Sequence, residues 1–580
     1  MKKRILTVFL ALFTVCLSVS AVKAETSGKA PLEAPGGMKA SKLKSPANGA
    51  DYIVISPAAF ESTLKPLLDH RKSEGLRVVL VTPTEIEKEF GIWSTGTETI
   101  RSFMRYAYFN WAKPAPKYLL LVGDAPALGA TATAELEVPT GLFRTVTEFR
   151  DRYKTPKGEP KKYGPVELIA SDMIYTEMDG DGLPDLAEGR LPADNTDELK
   201  TMIDKILAYE THPPTGIWKR RISFFASEGH FGSIDQLLEK MFKTMVKTNI
   251  SPKFDLNMTY ANPKMPYLFV PDRFNEKVID RFNEGSLFIN YIGHGLTDQF
   301  DDVNWNGKKY PIMEMGDVGK IDAGGKTPFL VVVACLVGNF DSVVQDSIGE
   351  ALIKKAGGPV GVISASMVSQ PTPNGLLSRE IAQAVFTKMT PRIGDVLLDA
   401  KRGTILNTGG EDRKIIDKFA ETIYKKDDIV RHNSEGVLMY NLLGDPATKI
   451  AYPAGEVSLK APDMVVAGND INVSGTVSAP ASGKVTITLE SSAVNVIYPI
   501  KPIEGLEGKE LDKTVEENYA NANNKTAWEK TIDYTGGKFS VSISAPDWLP
   551  RAVYYIKAYA FDAAGKDAFG DVSIKIDSAK

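Results

Sequence analysis

Cysteine is nearly absent: 580 residues include only Cys16 and Cys335. A disulfide framework is therefore excluded as the source of stability. Histidine is almost as scarce, with His70, His212, His230, His294 and His432 the full set. No apolar run after the N-terminus is long enough to cross a bilayer, at roughly 18–20 residues. No repeat of fixed period is present. No large excess of one charge exists either, the formal net charge being -4. The missing basic surplus argues against a nucleic-acid partner. Hydrophobic residues at 43% and charged residues at 24% exclude large-scale disorder and leave ample material for a buried core.

The N-terminus reads as an export signal. Lys2, Lys3 and Arg4 precede the uncharged run Ile5–Val22, and Val22-Lys23-Ala24 places a cut after Ala24. The alternative is an anchor that stays uncut. Val15, bulky and directly before Cys16, argues against a lipoprotein site. Cleavage removes four basic residues (Lys2, Lys3, Arg4, Lys23) and no acid, leaving a mature charge of -8. The expected destination is the periplasm, the cell surface or the medium, with no stable membrane insertion after cleavage. Cys16 leaves with the signal. Cys335 is then the lone thiol of an exported chain, either reactive, paired with another molecule, or buried and inert.

The rest divides by pattern. Residues 25–50, rich in Gly, Pro, Lys, Ala and Ser, read as a flexible leader or pro-segment. From 51 to 165 strand and helix alternate: Asp51–Ser56, Arg77–Thr82 and Tyr118–Val122 are apolar strands, with helical spacing between them. Residues 125–170 read as irregular. From 166 to 452 the alternation restarts with Asp185–Gly189, Arg221–Ala226, Phe254–Tyr260, Ser286–Ile292, Pro328–Ala334 and Val360–Ser364; Ser233–Val246 is among its expected helices. The order implies two doubly wound α/β units in tandem. From 453 to 580 short strands alternate without helices, as in a β-sandwich of immunoglobulin type. Residues 503–535, polar and charged, read as a long exposed loop.

Two strand ends carry the chemistry. Ile289-Asn290-Tyr291-Ile292-Gly293-His294-Gly295 closes one buried strand, and Val331-Val332-Val333-Ala334-Cys335-Leu336 closes the next. The carboxyl edge of a parallel sheet is where ligands bind. On neighbouring strands, His294 and Cys335 would face each other. A thiol is mostly protonated at neutral pH, and an imidazole beside it supplies the base for attack and the acid for the leaving amine. The flanking glycines allow a sharp turn and close approach of substrate, and an amide freed there can receive an oxyanion.

These segments resemble the catalytic motifs of the gingipain family of cysteine peptidases: His294-Gly295, and Ala334-Cys335-Leu336-Val337-Gly338-Asn339-Phe340-Asp341. Gly349-Glu350-Ala351-Leu352, Gly444-Asp445-Pro446, Leu120–Asp124 and Asp185–Pro192 extend the resemblance over about residues 50–452. It implies a caspase-like α/β fold of two subdomains, the second catalytic, followed by an immunoglobulin-like domain. It also implies Cys335 as nucleophile, His294 as base, an oxyanion hole from the amides of Gly295 and Cys335, and Asp185, five before Arg190, as the carboxylate orienting the histidine. The chemistry needs no cofactor, and its partner is a protein or peptide substrate; oligomeric state is not encoded. Asp179 and Asp181, in Asp179-Gly180-Asp181-Gly182, suit either a calcium loop or a solvated acidic turn. The stretch Ser366–Asn374 holds no acid, whereas lysine-cleaving gingipains place one there, so a basic specificity does not carry over. Two other readings compete with an endopeptidase: a transpeptidase or processing enzyme using the same dyad, and an exported non-catalytic surface-binding protein.

Overall fold

Each early strand is a run of consecutive apolar residues because both of its faces are covered. In β1 (Tyr52–Ile55), Ile53 and Ile55 enter one core while Tyr52 and Val54 enter another. In β3 (Tyr118–Val122), Leu119 and Leu121 alternate with Tyr118, Leu120 and Val122 in the same way. Two-residue periodicity thus gives two apolar faces, each roofed by helices. The computed structural model describes residues 42–91, 96–126, 136–145, 168–228, 243–342 and 344–579, all within one compact unit. The signal, its cut and Cys16 lie outside them. No helix among the described residues is long and apolar enough to cross a membrane.

The main sheet has ten strands in the order β2-β1-β3-β6-β14-β13-β12-β9-β7-β8. Its members beyond β1 and β3 are β2 (Val78–Val81), β6 (Ala187–Leu191), β7 (Arg221–Ser227), β8 (Asp255–Ala261), β9 (Phe288–Ile292), β12 (Phe329–Val333), β13 (Gly361–Ala365) and β14 (Tyr440–Leu443). Two small hairpins, β4 (Gly141–Arg144) with β5 (Leu168–Ser171) and β10 (Asp302–Trp305) with β11 (Lys308–Pro311), stand apart. β2, β1, β3 and β6 form one parallel set, and β13, β12, β9, β7 and β8 another. β14 joins them, antiparallel to β13 and parallel to β6 through the single pair Leu443↔Arg190. The two α/β sets expected from the sequence are present, sharing one sheet and running in opposite directions. The carboxyl ends of β7, β9, β12 and β13 therefore share an edge with the amino end of β6.

Three segments differ from expectation, and a fourth is described only in part. β6 pairs with β3, so the strand that was to open the second unit completes the first set. Residues 42–50 are folded rather than part of a free leader: Leu43 and Ala50 are buried. Glu89 accepts hydrogen bonds from the amides of Lys42, Leu43 and Lys44 at 2.8, 2.7 and 3.2 Å, and the Trp111 indole donates to Leu43 O at 2.8 Å. Residues 503–535 form the helix Gly508–Asn523 and the strand β19 (Thr526–Tyr534). That helix buries Val515, Tyr519 and Ala522, four and three residues apart, along edge strand β8, with Tyr519 Oη 2.7 Å from Thr259 Oγ1. Such a narrow apolar stripe within a polar segment is easily read as a loop. Of the helix expected at Ser233–Val246, residues 229–242 lie outside the described ones, and 243–249 are helical.

Beyond Pro453 the strands β15 (Gly455–Lys460), β16 (Met464–Val466), β17 (Asp470–Val477), β18 (Gly483–Ser491), β19, β20 (Lys538–Ser544), β21 (Ala552–Phe561) and β22 (Asp567–Asp577) wrap one apolar core. β17 alternates exposed and buried residues along its whole length, the mark of a sheet with one wet face. This β-domain is fastened to the α/β sheet by a buried ionic cluster. Lys557 bridges Asp255 and Glu490 at 2.9 and 2.7 Å, and Arg220 reaches the same two acids at 2.6 and 3.3 Å.

Candidate active site

β9 and β12 are adjacent and parallel, with Val333 opposite Ile292. Two residues further along each strand bring Cys335 level with His294. The Gly293 amide still donates to Val333 O at 3.3 Å, so the pairing persists past the strand ends. A Cβ on Gly295 would lie 2.8 Å from Cys335 O, 2.8 Å from Val337 Cγ2 and 3.0 Å from the Ala334 Cβ. Only glycine lets the loop after His294 rest on the cysteine backbone. Gly295 forms an isolated bridge with Phe300 whose hydrogen bond runs from Leu296 N to Gln299 O, 2.9 Å. The Gly295 amide is thereby left out of the ladder. Tyr291 braces the loop, donating from Oη to His294 O at 2.7 Å and accepting from Asp301 N at 3.1 Å.

The turn after the nucleophile is strained. Leu336 has φ +59°, a left-handed conformation that costs a non-glycine residue about 1 kcal/mol or more. It is held by Leu336 N to Met367 O, 3.1 Å, and Gly338 N to Ala365 O, 3.0 Å. Cys335 is thus turned out at the strand end, half-buried, beside an exposed His294. The Ser369 amide donates to Sγ at 3.4 Å; the Ser369 carbonyl and hydroxyl oxygens lie 3.7 and 3.8 Å away. Burial pushes the thiol up, and the amide and hydroxyl of Ser369 pull it part of the way back.

The model of peptidase family C25 matches residues 45–451. The chain belongs to peptidase family C25. It is 25% identical to gingipain R2 of Porphyromonas gingivalis over 325 residues, 55% of this chain and 37% of that protein. It is 23% identical to Lys-gingipain of the same organism over 254 residues, 43% of this chain and 12% of that protein. The matched relatives are thus much longer than the part this chain spans. Among solved structures, the Arg-specific cysteine proteinase gingipain R aligns over 92% of this chain and 100% of its own, at TM-score 0.49 and 18% identity.

Within this C25 chain the third expected residue does not join the pair. Asp185 precedes β6, four strand steps from β9, roughly 19 Å at about 4.8 Å per step. Its carboxylate accepts from Met178 N at 2.8 Å and faces Arg402 at 3.8 Å. Burial, and then Asp179 and Asp181, push it upward. A different acid falls at the matching position of the neighbouring strand. β7 flanks β9 with Ala226 opposite Ile292. Ser227 follows the same register, since a Cβ on Gly293 would lie 2.2 Å from Ser227 Oγ. The next residue, half-buried Glu228, is level with His294 on the side away from Cys335. Sequence reading did not single out this position because the order β7-β9-β12 is a property of the fold; the available signal was an acid at the end of the apolar run Arg221–Ala226.

Of three acids near the nucleophile in sequence, two have other partners and the third is buried. Glu350 caps its own helix at Ser347 N, 2.8 Å. Asp346 pairs with Lys354 at 2.7 Å. Asp341 is buried, its carboxyl pushed up to about 6 by burial, close to the charges of Asp172 and Arg190. Arg190 itself is fully buried, paired with Asp172 at 2.8 Å, and its guanidinium lies 5.3 Å from the Phe340 ring. The nucleophile loop is thereby tied to the first strand set. Glu177, Asp179 and Asp181 bring carboxylates together. Asp179 and Asp181 each accept an amide two residues on, at 3.1 and 2.8 Å. Those bonds are the ones an acidic turn makes, and the three carboxylates, with oxygens within 4.8 Å of one another, retain the grouping a cation would need.

Proposed function

We propose that the chain is an exported cysteine endopeptidase in which Cys335 and His294 form the reacting pair. The observation carrying this reading is the strand register that puts both residues at one sheet edge, with Gly295 against the Cys335 carbonyl. In the proposed reaction His294 takes the Sγ proton as sulfur attacks the peptide carbonyl. The oxygen that becomes negative is met by the amides of Gly295 and Cys335. The tetrahedral adduct collapses to a thioester as His294 returns its proton to the leaving amine. Water, deprotonated by the same imidazole, then hydrolyses the thioester. Glu228 orients His294 from the far side. The expected export signal and the family relation support action on protein substrates outside the cytoplasm.

A fluorogenic peptide library tests the activity, with mass spectrometry locating a thiol-reactive peptide on Cys335. Hydrolysis blocked by that label is the expected result; labelling without hydrolysis of any member would sink the proposal. Transfer of the acyl group to an added amine in place of water would mark a transpeptidase. No strict lysine preference is expected at the residue before the cut, because Ser366–Asn374 holds no acid and Asp346 and Glu350 are engaged elsewhere. A lysine preference of about a hundredfold or more, ~2.7 kcal/mol in transition-state binding, would contradict this.

The pH dependence follows from burial. Because burial raises the Cys335 thiol, the resting sulfur is protonated at neutral pH and depends on His294 to lose its proton in the reacting step. His294→Ala is expected to abolish the neutral-pH component of the iodoacetamide alkylation rate, leaving a rate that climbs only toward alkaline pH. Superimposable profiles for the parent and this variant would separate the two residues.

A further inference from the structure

Beyond the reacting pair, a directed chain of hydrogen bonds ends on the sulfur. Tyr440, fully buried at the start of β14, donates from Oη to Asn374 Oδ1 at 2.8 Å. Asn374 lies in the first turn of the helix Pro371–Ala382 and donates from Nδ2 to Ser369 Oγ at 2.8 Å. Ser369 Oγ is 3.8 Å from Cys335 Sγ, and the Ser369 amide is 3.4 Å from it. We propose that Asn374 is a positioning residue, oriented by Tyr440, which fixes the Ser369 hydroxyl so that its proton points at Cys335 Sγ. This rests on Cys335 being the nucleophile.

The polarity of the chain is what matters. A tyrosine hydroxyl whose ionisation is suppressed by burial remains a donor. With Oδ1 taken by that donor, the amide must offer its N–H to Ser369. Ser369 Oγ then accepts from Asn374, and its own proton can go to the sulfur or to the Tyr440 oxygen, which it also reaches; the charge of a thiolate decides for the sulfur. The thiolate gains this donor in addition to the Ser369 amide, and each hydrogen bond to the charged form lowers the thiol's pKa. Serine alone would not achieve this. A free hydroxyl rotates, and without Asn374 nothing fixes which neighbour the Ser369 proton faces.

The test measures alkylation of the purified full chain by iodoacetamide as a function of pH. Asn374→Ala is expected to move the midpoint of the profile upward by at least about half a pH unit. Ser369→Ala should give the same shift, and the double variant no more than Ser369→Ala alone, because Asn374 acts only through that hydroxyl. Tyr440→Phe, which removes one oxygen atom from the core, should shift the midpoint in the same direction by less. Asn374→Asp should shift it furthest, since a carboxylate accepts from both hydroxyls and turns the Ser369 proton away from the sulfur. A parent profile retained in both Asn374→Ala and Tyr440→Phe overturns the inference, as does an additive double variant. If Asn374→Ala does not fold, Tyr440→Phe and Ser369→Ala decide the question. A parent protein that alkylates no faster than His294→Ala would instead overturn the active-site reading itself.

Discussion

Cys335→Ala is expected to lower kcat/KM for peptide hydrolysis at least ~10⁴-fold, and His294→Ala by a comparable factor. The first removes the atom that forms the thioester. The second removes the base for attack and the acid for amine release, which are one group acting twice. Because the two act as a unit, the double variant is expected to be no slower than the slower single variant. The fold should survive. Alanine retains the Cβ at 335 and leaves only a small, half-open void, while His294 is exposed. The strained φ of Leu336 is held by backbone bonds to Met367 and Ala365 that neither substitution touches. The measurement is initial rate on the best library peptide, with thermal unfolding recorded alongside. A Cys335→Ala protein within tenfold of the parent would end the thioester mechanism.

The placement of His294 and Cys335 at neighbouring strand ends was legible because the apolar runs that lead to them fix the strands. An apolar run of five to seven residues announces a buried parallel strand, and a reactive side chain at its end has few structural reasons to be there. Topology was less legible. That β14 would run against β13 and beside β6 depends on long-range pairing through one contact, Leu443↔Arg190, with no local signal. This reversal puts Asp185 on the same edge as the dyad, yet β14, β13 and β12 stand between β6 and β9. The helix Gly508–Asn523 was hidden for a different reason. It borrows its stability from Thr259 and Met258 on the sheet it covers and from Arg281 on the helix Phe274–Asn283, so its own sequence needs only three apolar contacts. Leu43 was similarly unreadable. One leucine among lysines gives no pattern, and its burial depends on Glu89 gathering three amides 45 to 47 residues away.

The proposed reassignment of the orienting carboxylate carries the second large expected effect. Glu228→Gln should lower kcat about a hundredfold or more with little change in KM, while Asp185→Asn should leave both within about twofold. A carboxylate beside an imidazole fixes its tautomer and stabilises the imidazolium formed when the thiol proton is taken. Glutamine keeps the size but offers no charge. Its amide can accept from either ring nitrogen or donate to it, so the histidine is no longer held with its lone pair toward sulfur. Asp185 is differently placed. It is roughly 19 Å from His294 by strand count, and its oxygens face Met178 N and Arg402. Neutralising it would relieve its repulsion with Asp179 and Asp181 and leave the dyad untouched. Steady-state kinetics on the two variants separates the assignments. A large loss in Asp185→Asn together with full activity in Glu228→Gln would return the orienting role to Asp185, and would require the strand order between β6 and β9 to be different from the one described.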